Sequence, residues 1–348
     1  LTAFGAFAGH DHVDGYNNTL IGRYAGREIT NGHSNTVLGH ASLQTATTAV
    51  TNTALGMHSM RLTTTGSDNV AVGHEALDKN TTGGNNTAVG KSALIANTTA
   101  SFNTAVGDKA MQTNTTGTNN TAIGHQALNK NTTGGLNTGL GLNALYNNTT
   151  ASNNTAVGHS ALFSNTTGDI NTAVGRDALK SNTTASSNNA FGREALRDNT
   201  TGTNNTAMGV SALSTNTTAS SNTALGTSAL RLNTTGDQNT AVGHQALDAN
   251  TTGTVNTAVG KSALDANTTG GYNVAVGHDS MLLNTTGITN TALGNNALRG
   301  NTTASENVGI GTNALYSNTT GAKNTAVGHN SLDANTTADF NTAVGSDA

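Results

Sequence analysis

The chain has no cysteine, which rules out a disulfide, a thiolate metal site and a thiol nucleophile. It has no proline either, which suits strands paired on both edges, where a missing N–H would break the ladder. Aromatic residues make up 3% and charged residues 10%. That is too little of either for an ordinary enzyme or a highly charged disordered chain. The net charge of −4 gives no reason to expect a nucleic-acid partner. No apolar run approaches the length of a membrane span, so no membrane insertion is expected in this segment.

What the chain has is a repeat. Every seventeenth residue from Gly5 to Gly345 is glycine, giving 21 glycines and 20 equal intervals without insertion or deletion. A length of 348 residues would otherwise suggest two or three globular domains. A fixed short period instead marks a solenoid, whose units bury their apolar faces only against their neighbours.

Counting each repeat glycine as position zero sorts the residues into columns. Position −1 is always bulky and apolar, as in Val89, Ile123, Phe191, Met208 and Leu225. Position −3 is Thr in 17 repeats, Val in three (Val70, Val274, Val308) and Asn once (Asn189), and position −2 is mostly Ala. Strand alternation places −3 and −1 on one face and −2 and 0 on the other. The Val substitutions at −3 assign that column, with −1, to the buried face. Positions +3 and +4, mostly Ala-Leu, read as a second short strand whose Leu meets the −1 column across a thin core. The Asn-Thr-Thr-Gly/Ala run that follows is turn chemistry. All 34 charged side chains fall at +1, +2, +5, +6, +9, +11 or +12, which places the outward surface at +1, +2, +5 and +6.

No 3.6-residue apolar pattern is present, so the expected fold is an all-β parallel β-solenoid, or β-roll, of about 20 coils. At about 4.8 Å per coil it would form a rod of roughly 100 Å. Asn at −4 in 20 of 21 repeats, and Asn at +7 without a gap from Asn80 to Asn335, predict amide ladders between coils. Gly at zero predicts a positive φ or a close backbone approach. Residues 1–68 depart from the pattern, with Gly9 and Gly26 in the Leu column and Ile29, Ala46 and Thr63 in the second Asn column. They read as variant first coils of a single array spanning 1–348, whose regular part is 69–348. The chain starts and stops inside a repeat, as a segment of a longer protein would.

Asn273-Val-Ala-Val-Gly277, followed by Ser280, resembles the head repeats of trimeric autotransporter adhesins, as do Asn69 to Gly73 with Ala76 and Asn307 to Gly311 with Ala314. The Asn-Thr-Ala-Val-Gly-x-x-Ala-Leu form is also similar to repeats of phage tail fibres. The resemblance covers the whole chain, although these coils are longer and carry Thr where the adhesins have Val. It implies a left-handed β-roll, three chains around one axis, and an extracellular role in attachment or spacing. The implied partners are further copies of the chain and a cell-surface glycan or protein receptor. A second reading is a head-to-tail filament or matrix subunit, because strand edges at the ends of a stack call for partners.

No Ser, His and acid recur in a catalytic constellation, so no catalytic residue, cofactor or enzyme activity is assigned. Histidines at +1 (His40, His74, His125, His159, His244, His278, His329) share their column with Lys91, Asp108, Arg176, Val210 and Thr227. They and His10-Asp11-His12 read as solvated surface, not metal ligands. The Asn-Thr-Thr sequon occurs 16 times, at Asn80, Asn97, Asn114, Asn131, Asn148, Asn165, Asn182, Asn199, Asn216, Asn233, Asn250, Asn267, Asn284, Asn301, Asn318 and Asn335. These are candidate glycosylation sites, set against the equal fit of Asn and Thr to a stacked turn. Ice binding is a third reading, disfavoured by an inward −3 Thr and the lack of an outward Thr-x-Thr strand.

Overall fold

The computed structural model describes residues 1–348 and shows an all-β parallel β-solenoid with a 17-residue coil and no helix. The chain forms two compact units, Leu1–Asn171 and Thr172–Ala348. The first holds ten strands, from β1 (Thr2–Phe4) to β10 (Thr155–Val157). The second holds eleven, from β11 (Thr172–Val174) to β21 (Thr342–Val344). Within each unit successive strands pair in parallel and in register. In β15 (Thr240–Val242) and β16 (Thr257–Val259), Thr240 faces Thr257, Ala241 faces Ala258 and Val242 faces Val259.

Each coil has one strand of three residues, at −3 to −1, and not the two strands expected from sequence. The facing of that strand is also the reverse of the expectation. Ala at −2 points into the coil, as Ala88, Ala241 and Ala258 show with no exposed surface. The −3 and −1 side chains point out. Val70 and Val274, the residues that suggested burial at −3, are 38% and 39% exposed. In the regular coils the interior is so thin that Ala or Gly fills it at −2, and larger side chains at that position, Leu20 and Val37, are buried only in the first coils.

The residues at +1 to +6 form a turn. Ala at +3 and Leu at +4 are both fully buried although adjacent, which a strand cannot do. The backbone explains it: the +4 residue is left-handed in coil after coil, as at Leu94 (φ 51) and Leu264 (φ 55). Positions +2 and +12 share that conformation, as Ser262 (φ 54) and Val255 (φ 57) show. A left-handed non-Gly residue costs about 1–2 kcal/mol, so three per coil persist only because stacking dictates them. The zero column needs Gly on two counts. Gly260 has φ 135, and an added Cβ would stand 2.5 Å from Gly277 O in the next coil.

Two amide ladders run through the stack, as expected. At −4, Asn69 Oδ1 accepts from the backbone N–H and from Nδ2 of Asn86 (2.9 and 3.1 Å). At +7, Asn97 Nδ2 donates to Asn80 Oδ1 (2.9 Å). The columns meet at +10, where Ala100 O accepts from Asn86 Nδ2 (2.9 Å) and Asn97 Nδ2 (3.0 Å). That carbonyl is the hub of each coil, and only Gly or Ala stands at its position. Satisfying a buried amide avoids a penalty of about 1–3 kcal/mol, so these columns hold together an interior that offers little apolar area.

Candidate functional site

Three surfaces differ in chemistry: the strand face, the sequon edge and the +1 to +6 turn. The strand face carries the −1 side chains, apolar in every repeat and in part open to solvent. Leu38 is 49% exposed, Met208 48% and Leu293 47%. Thr or Val at −3, with Asn189 in one repeat, lines the same face, and no charged residue occurs from −4 to 0. An uninterrupted, uncharged apolar strip is the surface type that marks an interface.

The sequon edge is closed. Fifteen of the sixteen sequon asparagines, Asn80 through Asn318, have no exposed surface, and Asn335 is half-buried. Beyond Asn80, which donates only to Gly83 O, Nδ2 gives two hydrogen bonds, as at Asn250, which donates to Asn233 Oδ1 (2.7 Å) and Gly253 O (3.0 Å). A glycan on such a nitrogen and the observed stack are mutually exclusive. The two threonines of each sequon divide in role. Thr251 Oγ1 donates to Thr268 O (3.0 Å), while Thr252 is exposed.

The turn carries most of the charges, and not all of them face water. Asp78 and Asp248, at +5, are 4% and 6% exposed. Each is gripped by an arginine one coil earlier: Arg61 Nε and an Nη reach Asp78 at 3.0 and 3.2 Å, and Arg231 reaches Asp248 at 2.8 Å twice. Each arginine sits above its ordinary pKa, chiefly through these hydrogen bonds, which outweigh desolvation. Asp265, next in the column after Asp248, is pushed above the usual carboxylate range by burial and then by the Asp248 charge. The +5 position is therefore a cross-coil clip in some coils and open surface in others.

Six of the seven +1 histidines are exposed, as expected for a solvated column; His74 is half-buried. His10 Nδ1 pairs with Asp11 Oδ1 (2.6 Å), while His12 Nε2 is buried without a partner, so the His10-Asp11-His12 run does not converge on one point. The first coils carry rings stacked from coil to coil: Phe7 on Tyr24 (centroids 5.4 Å) and Tyr16 on His33 (4.4 Å). The line continues from His40 to His58 (5.6 Å) and His58 to His74 (6.3 Å). His58, at +2, was not singled out by the column of +1 histidines. The signal was there in the period, since His58 and Glu75 are 17 residues apart and stack directly, with His74 beside them.

No pocket indents the surface, and no helix is long and apolar enough to cross a membrane. No protein-family model matches the chain, and no curated protein matches it either.

Proposed function

We propose that the chain is a non-enzymatic, extracellular structural fibre segment, the shaft or head of an adhesin or phage-type tail fibre, whose strand face is covered by two further copies of the chain. The −1 column carries this reading, being apolar in all repeats yet turned outward. In the unit Thr172–Ala348 the eleven strands line up an apolar strip about 50 Å long at about 4.8 Å per strand. Copies can meet there without bringing like charges together, because all 34 charges lie at other positions. The resemblance to trimeric adhesin heads supports three copies and the left-handed coil. The +1 side chains, and those at +2, +5 and +6 that are not buried between coils, would then face outward to a cell-surface glycan or protein, and weak contacts repeated along the fibre would add up.

Light scattering on the purified chain tests this. The expected mass is about three times 34.8 kDa, and Val242→Lys with Val259→Lys should yield monomers of unchanged far-UV circular dichroism. A wild-type monomer at micromolar concentration would sink the reading. Mass per unit length separates the trimer from a filament one chain thick.

The outward Thr at −3 beside Val at −1 supports a second reading, ice binding, in which a regular sheet face orders water. Against it, the −1 column mixes Val, Leu, Ile, Met and Phe and so presents no flat array. Thermal hysteresis above that of buffer would select it over the fibre.

A further inference from the structure

The line of rings in the first coils ends at a cluster with metal-binding chemistry. One nitrogen of His58, one of His74 and a carboxylate oxygen of Glu75 all lie within 4.8 Å of one another. His74 Nδ1 stands 3.6 Å from Glu75 Oε2, shielded from solvent and without a hydrogen-bond partner. A shielded imidazole nitrogen and a carboxylate oxygen too far apart for a hydrogen bond both carry lone pairs, and a cation can bridge them.

The solenoid itself holds the three side chains in place. His58 and Glu75 occupy +2 of adjacent coils, left-handed at φ 59 and φ 57. The N–H of His58 donates to His40 O and that of Glu75 to Met57 O, each at 3.0 Å, so the register of the cluster is the register of the stack. Ser92 Oγ donates to Glu75 Oε2 (3.4 Å), orienting the carboxylate from the coil beyond. Arg61, on the His58 coil, is held in its two-pronged pair with Asp78, leaving Glu75 free to serve a cation.

We propose that His58, His74 and Glu75 bind one divalent transition-metal ion, zinc by the chemistry of the donors, which fastens the Gly56 coil to the Gly73 coil. Two imidazoles and one carboxylate form a common zinc ligand set, with a water completing the tetrahedron. Bonds of about 2.0–2.1 Å space tetrahedral ligand atoms about 3.4 Å apart. The His74–Glu75 pair is close to that spacing, and small rotations of the half-buried side chains close the remainder.

The location gives the ion a role. The +7 amide ladder starts only at Asn80; the preceding coils have His12, Ile29, Ala46 and Thr63 there, and Thr63 Oγ1 is buried without a partner. The metal would therefore bridge the coil that lacks the ladder to the coil in which it begins, tightening the join between variant and regular coils.

The test is calorimetric titration of Zn2+ alone into the chelator-stripped full chain, with hydrogen exchange followed across residues 53–80. We expect one ion per chain and slower exchange in that segment when it is bound. His58→Ala and His74→Ala should each weaken binding at least about 100-fold, and Glu75→Gln at least about 10-fold. His125→Ala, in the same +1 column but outside the cluster, should bind as the parent does. All four variants change half-buried or exposed turn positions, and matching melting curves in chelator confirm that they fold. The proposal is overturned if the parent takes up no Zn2+, or if uptake is unchanged in both His58→Ala and His74→Ala.

Discussion

The first coils and the regular coils fill the same interior with different residues. In the Gly90 coil, Ala88 at −2, Leu94 at +4 and Asn97 at +7 fill the space, all fully buried. In the Gly22 coil the same positions are Leu20, Gly26 and Ile29, and Leu20 and Ile29 are again fully buried. A Cβ added to Gly26 would stand 2.8 Å from both Ile29 Cδ1 and Leu20 Cδ2. The volume that Leu supplies at +4 has moved to −2 and +7. Gly26 also adopts the left-handed turn (φ 53) without the strain borne by Leu94 (φ 51). The exchange gives up the +7 amide ladder, since Ile29 can neither accept nor pass on an amide hydrogen bond. The coil thus demands a volume and a backbone path, while the +7 ladder is a separate device added in the regular coils; the −4 ladder already runs through the first coils, where Asn35 Nδ2 donates to Asn18 Oδ1.

The comparison can be broken most severely from the regular side. Leu264→Asp would place a carboxylate in an interior with no partner for it, at a cost of more than about 4 kcal/mol. Neighbouring coils should open, seen as fast hydrogen exchange around residue 264, whereas Lys261→Asp on the outer turn should stay within about 0.5 kcal/mol of the parent. Equal effects would refute the assignment of inside and outside.

Next comes the ladder. Asn250→Ala removes the acceptor of Asn267 Nδ2, now 2.8 Å away, and should cost about 1–3 kcal/mol in chemical denaturation. Ala46 stands naturally at the matching position of a variant coil, flanked by Ile29 and Thr63, where no amide is left waiting. A loss much below that range would mean that the ladder contributes little.

The volume exchange can be tested by reversing it. Gly26→Leu alone should overpack the Gly22 coil by about 1–3 kcal/mol. Adding Leu20→Val and Ile29→Ala copies the filling of the next coil, Val37, Leu43 and Ala46, and should recover most of the loss, a non-additivity expected of side chains in contact. Additive losses would show that the first coils differ in backbone as well as filling.

The smallest expected effect is electrostatic. Burial and Asp248 raise the pKa of Asp265, so the folded state holds its proton more tightly than the unfolded state does. Ionised Asp265 therefore opposes folding at neutral pH, and the penalty fades as pH falls through the raised folded pKa towards the unfolded value of about 3.9. Asp265→Asn should melt slightly above the parent at pH 7 and together with it near pH 3. A gap that widens in acid would contradict this sign.

The sequence by itself determined the period, the parallel stack, the Gly column and both Asn columns, because a 17-residue step without insertion leaves no other way to align like with like. It also showed that residues 1–68 vary the theme, though not that Leu20 and Ile29 take the place of the missing Leu. Only the tertiary structure decided which way the strand faces. A three-residue strand offers one alternation, and Thr-Ala-Val reads equally well with either face inward until it is known what fills the interior opposite; beside Leu at +4 and Asn at +7 there is room at −2 for Ala, and Val37 and Leu20 are buried there only where Ala46 stands at +7 or Gly26 at +4. The left-handed residue at +4 was equally hidden, since Leu carries no sign of positive φ, and it is what turns adjacent Ala and Leu inward together. The meeting of His58 with His74 and Glu75 was likewise settled in space, where stacking joins side chains a full coil apart and the turn aims them at one point.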